Sequence, residues 1–583
     1  MKIYKRLRQS LQRVPLMHPY IALAVMLLLL LLPSLAIIIV DEMVRISPFN
    51  ITSYILLASL LVGLPVALGG RRGVHWILAF CMLWLPFECA CLLIAKSPVS
   101  FGLVQATLQT NPGEASELFG IYIVIALITL SIWGVFFWAF RSWHRAPAKI
   151  SPLIRWTILG AFFLYLLGIG SQLYRIYPPT QSWRERVIGT AFKTYTRVAK
   201  VYPLDIWHNS LFYCSVRLRE LRLCEELGEG NFQVQTSPVW DKRDKPHELP
   251  IILFVIGETG SAAHWQMLGY PRATNPYLSK ERNLILFSNA TSAADLTSIS
   301  IPLMLSASTP QHYDRWQHEG TLIHLFRKAG FATAWLSNQS SQFACVEVSV
   351  PLMDFHYSAG GYGVEQCYDE ALLPPLDLFL SQVEEEQRAA FVVLHTMGAH
   401  FRYDGRVEES YDYFKPTTRG LSTVMALDRK HRAELINSYD NALRYTDFFL
   451  SRVTARIHRM ERPALFVYAP DHGEGLGEIN PMHLLHGSEW PLKDELHVPV
   501  VVVYNEAYAR LYPQYVDRMQ ARKDLPFSTA SLPNLLQDLV DVKQVREVSS
   551  LVDSLYNPEP RYYLSPSLQV RSADKVFEGD GED

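Results

Sequence analysis

The sequence predicts two structures in one chain: an N-terminal α-helical membrane domain of five transmembrane helices, then a C-terminal α/β domain built on a mainly parallel sheet. Three observations point there. The 583 residues are 49% hydrophobic, too long for one domain and too apolar for an ordinary soluble protein. The apolar excess lies before residue 175, in runs flanked by basic residues. After residue 250, short strand-like runs of branched residues alternate with helical patterns, as in a sheet covered by helices on both faces.

Lys2, Lys5, Arg6, Arg8 and Arg13 precede the first apolar run, residues 20–40, which exceeds the roughly 20 residues of helix that cross a bilayer core. It is long for a cleaved signal peptide and more runs follow, so it reads as a retained helix. Further spans are expected at 53–69, 74–95, 119–140 and 154–174. The second is short and contains Pro65. With five crossings, the N-terminal cluster, Arg71, Arg72, Arg141, His144, Arg145 and Lys149 share one side, which the positive-inside rule makes cytoplasmic. Everything after about residue 175 then lies outside the cytoplasm.

The domains follow: 1–175 transmembrane, 176–249 bridging amphipathic helices and linker, 250–571 catalytic, and 572–583 a disordered tail. Within the loop 96–118, Asn111 followed by Pro112 reads as a helix cap and first position, with Glu114 and Glu117 in the first turn. Net charge is −2 with no basic stripe outside the membrane flanks, which argues against a nucleic-acid partner.

In the catalytic region, strands are expected at 251–256, 333–336, 390–394, 464–468 and 498–503, with helices at 321–329 and 376–385. The first strand, IILFVI, delivers Glu258 at its C-terminal end, where open α/β sheets put their chemistry. The run ALFVYAP delivers Asp471, His472, Gly473 and Glu474 in the same way. Two carboxylates and an imidazole suit zinc or another divalent metal. Thr297, in a Thr/Ser-rich segment that stops at Pro302, offers a hydroxyl that such a metal acidifies into a nucleophile. The plainer readings are a surface turn for Asp471–His472 and a helix N-cap for Thr297.

Five motifs raise these residues above the plain readings: GET followed by GYPRATNP (Gly257 to Pro276), TSISIP from Thr297, LHTMGAH ending at His400, SYDNALRYTD from Ser438, and DHGE with the later LHG that contains His486. In this order the chain from about 250 to 500 resembles the phosphoethanolamine transferases of Gram-negative bacteria, members of the alkaline phosphatase and sulfatase superfamily. The resemblance implies an alkaline-phosphatase-like fold and an inner-membrane, multi-pass protein with its catalytic domain in the periplasm. It implies one zinc ion, or two, with Glu258, Thr297, Asp471 and His472 as ligands. Phosphatidylethanolamine is the implied donor, Thr297 carries phosphoethanolamine covalently as diacylglycerol leaves, and lipopolysaccharide (lipid A or a core sugar) or another envelope glycan is the acceptor. His400 and His486 match positions that hold the donor phosphate or a second zinc, with His395 orienting a neighbour. Glu474, Asn338 and Gln339 fall at substrate-binding positions, and Asn111 and Glu114 near the lipid donor.

Cys214, Cys224, Cys345 and Cys367 allow three pairings in an oxidising compartment, of which Cys345 with Cys367 is expected. The cysteines that flank the nucleophile in the lipid A branch are replaced by Ala293 and Leu303. Alternatives from the same fold are a lipoteichoic-acid-type phosphoglycerol transferase and a membrane-anchored sulfatase or phosphodiesterase. An inactive sensor or assembly protein is the alternative of another class.

Overall fold

The computed structural model describes residues 16–44, 48–68, 81–94, 99–109, 119–145, 150–176, 204–227, 246–339, 344–347, 349–359, 368–481, 483–542, 550–554 and 556–579. They fall into two units, one comprising Met1–Ser100 with Ile121–Phe212, the other Phe101–Gly120 with Tyr213–Glu582.

The first unit is helical: α1 (Pro19–Val44), α2 (Pro48–Leu68), α3 (Phe119–Arg145) and α4 (Pro152–Ile176), with a shorter helix Leu85–Ile94. Among the described residues, Pro19–Ala36, Ile123–Arg145 and Pro152–Ile169 are long and apolar enough to cross a membrane. These are the first, fourth and fifth of the five spans that the sequence predicts. The second is represented by α2, whose apolar part is Ile55–Leu68, and much of the third lies outside the described residues. Met26, Leu30, Val62, Val66, Phe136 and Trp143 pack together in the interior. The Arg155 Nε donates to the Ala67 carbonyl at 2.8 Å, supplying a partner to a C-terminal carbonyl that α2 cannot satisfy itself. Helix α5 (Asp205–Leu227) occupies the predicted bridging region.

The second unit is organised on an eight-stranded sheet. Its strands are β1 (Ile251–Gly257), β2 (Leu284–Thr291), β3 (Ala332–Ser337), β4 (Phe355–Ser358), β5 (Ala390–His395), β6 (Ala464–Pro470), β7 (His497–Tyr504) and β8 (Phe527–Ser528), in the order β8-β2-β7-β6-β1-β5-β3-β4. Strands β1, β3, β4, β5 and β6 run parallel, whereas β7 pairs antiparallel with both β6 and β2. The sheet is therefore mainly parallel, with one reversed strand. Central strands are apolar throughout because both faces are covered. Ile252, Phe254 and Ile256 enter one core and Ile251, Leu253 and Val255 the other. Strand β2 escaped the sequence reading because Ser288 and Asn289 interrupt its pattern where the register shifts between Phe287 and Ala290.

Register positions the chemistry. Gly257 lies opposite Pro470 and Ile256 opposite His395. The residues just past β1 and β6, Glu258 and Asp471, are consequently neighbours at one sheet edge.

Two expectations are corrected. The Thr297 segment does not stop at Pro302: α6 (Thr297–Leu305) continues through it, and the Ser298 carbonyl, left without the proline's N–H, accepts from the Tyr313 hydroxyl at 3.4 Å. Nor is the chain structureless from residue 572. Ala573–Glu578 forms a helix whose first turn is capped by the Ser572 side chain, and Arg561 lies over the Phe577 ring at 4.6 Å. The composition is charged, but one aromatic side chain anchors the segment.

Candidate functional site

The site begins with two turns that leave the sheet. The Asp471 N–H donates to the Gly257 carbonyl at 3.0 Å, and a Cβ on Gly257 would lie 2.6 Å from the Tyr468 hydroxyl, so only glycine fits there. Asp471 Oδ1 accepts from the N–H groups of His472 at 2.9 Å and Thr259 at 3.2 Å. Helix α6 is tied to the same point, since the Ser300 hydroxyl donates to the Asp471 carbonyl at 2.7 Å. Of the residues in α6 only Thr297 is not buried, which presents its hydroxyl to the crevice.

Four ligand-type atoms converge. His472 Nε2 lies 3.4 Å from Glu258 Oε1, 3.3 Å from Asp471 Oδ2 and 3.2 Å from Thr297 Oγ1, which is 3.3 Å from Glu258 Oε1. Ligands held about 2.0–2.1 Å from a tetrahedral zinc stand about 3.3 Å from one another. Asp471 Oδ2 is buried without a hydrogen-bond partner, as an atom reserved for a cation would be. His472 Nδ1 lies 2.8 Å from the Gly473 carbonyl, which takes the ring N–H and leaves Nε2 with its lone pair. Burial holds the His472 imidazole below its usual pKa, keeping it neutral. Burial, then the Asp471 charge, pushes the Glu258 carboxyl well above the usual carboxylate range, a conflict that a cation between them relieves.

His486 belongs to this cluster. Its ligand atom falls with those of Glu258 and His472 in a group able to hold a metal, and the rings of His472 and His486 are 4.2 Å apart. Glu474 meets His486 Nδ1 at 3.1 Å, so its carboxylate sets the tautomer of that imidazole. The His400 ring is 6.4 Å from that of His486. Burial, followed by the Arg406 charge, takes the His400 pKa well down, and Arg406 Nε donates to the His400 carbonyl at 3.0 Å.

The remaining predicted residues divide. The Gln339 amide donates to Glu258 Oε2 at 2.9 Å and to the Thr396 carbonyl at 2.8 Å, so it braces a candidate metal ligand. Asn338 instead donates to Asp369 at 2.8 Å. His395 is buried with Nδ1 3.1 Å from the Ser337 hydroxyl, and burial lowers its pKa to about 4. Asn111 and Glu114 lie outside the described residues; the helix that precedes them, Phe101–Gln109, packs on α6. Cys345 is buried, and Cys367 lies outside the described residues.

Sequence reasoning missed Asp369. Its carboxylate accepts from the N–H groups of Met397 at 2.7 Å and Gly398 at 3.0 Å, fixing the loop that leads to His400. Gly398 has φ 49° and approaches so closely that a Cβ would lie 2.8 Å from the Glu258 carbonyl. Asp369 sits in no metal-type spacing, so nothing local marks it.

Beside the site, buried His264 bridges two carboxylates, Nδ1 to Asp440 and Nε2 to Glu478, each at 2.7 Å. Burial opposes its charge, but the bonds to Asp440 and Glu478 prevail and raise its pKa to about 9. A histidine raised from about 6.5 when folded contributes stability present in full below pH 6.5 and lost as pH rises through 9, about 3 kcal/mol in all. Melting temperature is expected to fall between pH 6 and pH 9.5, and to fall less in His264→Gln. An equal fall in both proteins would count against the bridge.

Known proteins resemble this chain in sequence and in fold. The sulfatase family model matches residues 250–534. The phosphatidylethanolamine transferase Mcr-2 of Escherichia coli is 30% identical over 407 residues, covering 66% of this chain and 70% of that protein. The chain belongs to the phosphoethanolamine transferases of the alkaline phosphatase and sulfatase superfamily. Its fold matches that of the integral membrane lipooligosaccharide phosphoethanolamine transferase A (EptA) of Neisseria meningitidis, with a TM-score of 0.65 over 89% of this chain and 96% of that one, at 20% identity. The periplasmic domain of Escherichia coli EptC, solved in complex with zinc, matches with a TM-score of 0.52 over 60% of this chain and 99% of that domain, at 21% identity. The transferase is thus an enzyme with a membrane N-terminal region and a sulfatase-like catalytic domain.

Proposed function

We propose that this transferase moves phosphoethanolamine from phosphatidylethanolamine to lipopolysaccharide, at lipid A or a core sugar, or to another envelope glycan, through a phosphoethanolamine ester on Thr297. The observation that carries the reading is that His472 Nε2 lies 3.2–3.4 Å from each of Thr297 Oγ1, Asp471 Oδ2 and Glu258 Oε1, with Thr297 Oγ1 3.3 Å from Glu258 Oε1. The donor set and the unpartnered Asp471 Oδ2 fit zinc. Bound there by Glu258, Thr297, Asp471 and His472, zinc would lower the pKa of the threonine hydroxyl and offset charge on the phosphoryl group.

The protein's own groups account for the rest. Thr297 Oγ forms a bond to phosphorus, the bond from phosphorus to the diacylglycerol oxygen breaks, and that oxygen leaves with the proton that Thr297 loses. Neutral His400 offers a ring N–H to the phosphoryl oxygens as negative charge gathers on them, while His486, whose Nδ1–H is taken by Glu474, keeps an Nε2 lone pair that could hold a metal. An acceptor oxygen then forms a bond to the same phosphorus as the bond from phosphorus to Thr297 Oγ breaks, and the acceptor's proton returns to Thr297 Oγ. The membrane region suits a lipid donor, in a multi-pass inner-membrane protein whose catalytic domain faces the periplasm.

The test is incubation of the full chain, in detergent with zinc and no acceptor, with phosphatidylethanolamine carrying a fluorescent acyl chain. A phosphoethanolamine adduct on the peptide containing Thr297, together with labelled diacylglycerol, is the expected result. Cleavage of phosphatidylglycerol instead would transfer the reading to glycerol phosphate, and lipid left intact would remove the donor from it.

A further inference from the structure

We propose that Tyr439 is a positioning residue of the metal site, which acts by holding Thr259 in a left-handed backbone conformation and thereby fixing which Asp471 oxygen is free. The inference rests on the zinc reading above. Thr259 follows Glu258 directly and has φ 51°, a region that a β-branched residue enters only when its surroundings impose it. Its own hydroxyl is buried without a partner, so the side chain is not what holds it there.

The backbone is held. The Tyr439 hydroxyl donates to the Thr259 carbonyl at 2.6 Å and accepts from the Ser261 N–H at 2.8 Å, so one oxygen clamps both sides of residue 260. Gly260 between them has no room for a side chain, since a Cβ would lie 2.5 Å from Pro470 Cγ. Tyr439 comes from α7 (Arg432–Arg459), is fully buried, and meets the rings of His264 and Tyr403 edge-on at 5.2 and 5.1 Å. Its position does not depend on the turn it clamps.

In this conformation the Thr259 N–H points to Asp471 Oδ1 at 3.2 Å, alongside that of His472 at 2.9 Å. Two donors on Oδ1 leave Oδ2, 3.3 Å from His472 Nε2, as the oxygen for the metal. If Thr259 relaxed to negative φ its N–H would turn away, and Asp471 would lose the bond that sets its orientation. The role is exerted through the turn, and its signature is metal affinity.

The experiment measures zinc affinity of the full chain in detergent by competition with a chromophoric chelator, with a thermal melt on each variant. Loss of an outer partner of a metal ligand commonly weakens metal binding about 10–100-fold, and Tyr439→Phe is expected to do so. Thr259→Gly alone should stay within about twofold of the original, because glycine takes positive φ freely. The double variant Tyr439→Phe/Thr259→Gly should recover most of the loss, a rescue that a packing role for the hydroxyl does not predict. Should Tyr439→Phe fail to fold, Thr259→Pro tests the same link, since proline has no N–H and cannot take positive φ; it should bind zinc more weakly by a similar factor. Tyr439→Phe with unchanged affinity, a double variant no better than Tyr439→Phe, or Thr259→Pro with unchanged affinity overturns the inference while leaving the zinc site intact. A wild-type chain that binds no zinc overturns the metal reading itself.

Discussion

Thr297→Ala is expected to leave a folded chain that forms no phosphoethanolamine adduct and releases diacylglycerol at least about a thousandfold more slowly, since removal of a nucleophile typically costs that much or more. The plain alternative, that Thr297 is only a helix cap, predicts a different outcome. Loss of a capping side chain costs about 1 kcal/mol of stability and leaves chemistry alone. The geometry separates the two, because the cap position of α6 is Leu296 and carries no side-chain bond. The Thr297 hydroxyl is engaged instead with Glu258 and His472, at 3.3 and 3.2 Å. Stability should therefore change little while activity vanishes, read by a melt and by lipid turnover on the same sample. A fall in melting temperature with activity retained would return Thr297 to the capping role.

Stripping the metal is expected to have the second large effect. A chelated and dialysed chain should lose transfer activity and melt at a lower temperature, with both restored by zinc. An ion present at about a thousand times its Kd stabilises the folded state by about 4 kcal/mol. The physical reason lies in Glu258 and Asp471, buried at 1% and 0% exposure. With the ion gone, burial and the neighbouring Asp471 raise the Glu258 pKa, so Glu258 takes up a proton that returning zinc must displace. Zinc binding should accordingly release protons and weaken as pH falls. Calorimetry in two buffers of different ionisation enthalpy measures the proton count. A metal-free chain that melts and turns over lipid unchanged would dismiss the metal from the mechanism.

Much of this was written in local pattern. Apolar branched runs such as IILFVI and ALFVYAP have one stable fate, a strand covered on both faces, and the polar residues that end them had to emerge at the sheet's edge. Hydropathy alone marked α1, α3 and α4, because a run of that length and composition finds few other places to be buried. Thr297, Glu258, Asp471 and His472 were recognisable by residue type, and the structure brings them together. What local pattern does not contain is distance between segments far apart in the chain. Thr259 and Asp471 are 212 residues apart, and they meet because β1 and β6 pair in parallel with Gly257 opposite Pro470. The same is true of His486 beside His472, of Glu474 turned to the His486 ring rather than outward, and of Asp369 beneath the loop to His400. The reversed direction of β7 and the helix near the C-terminus anchored by Phe577 also depend on neighbours supplied by folding. Local chemistry chooses the element and the reactive group; register and packing choose its partners, because hydrogen bonds and ligand geometry act over about 3 Å and only the folded chain brings distant residues that close.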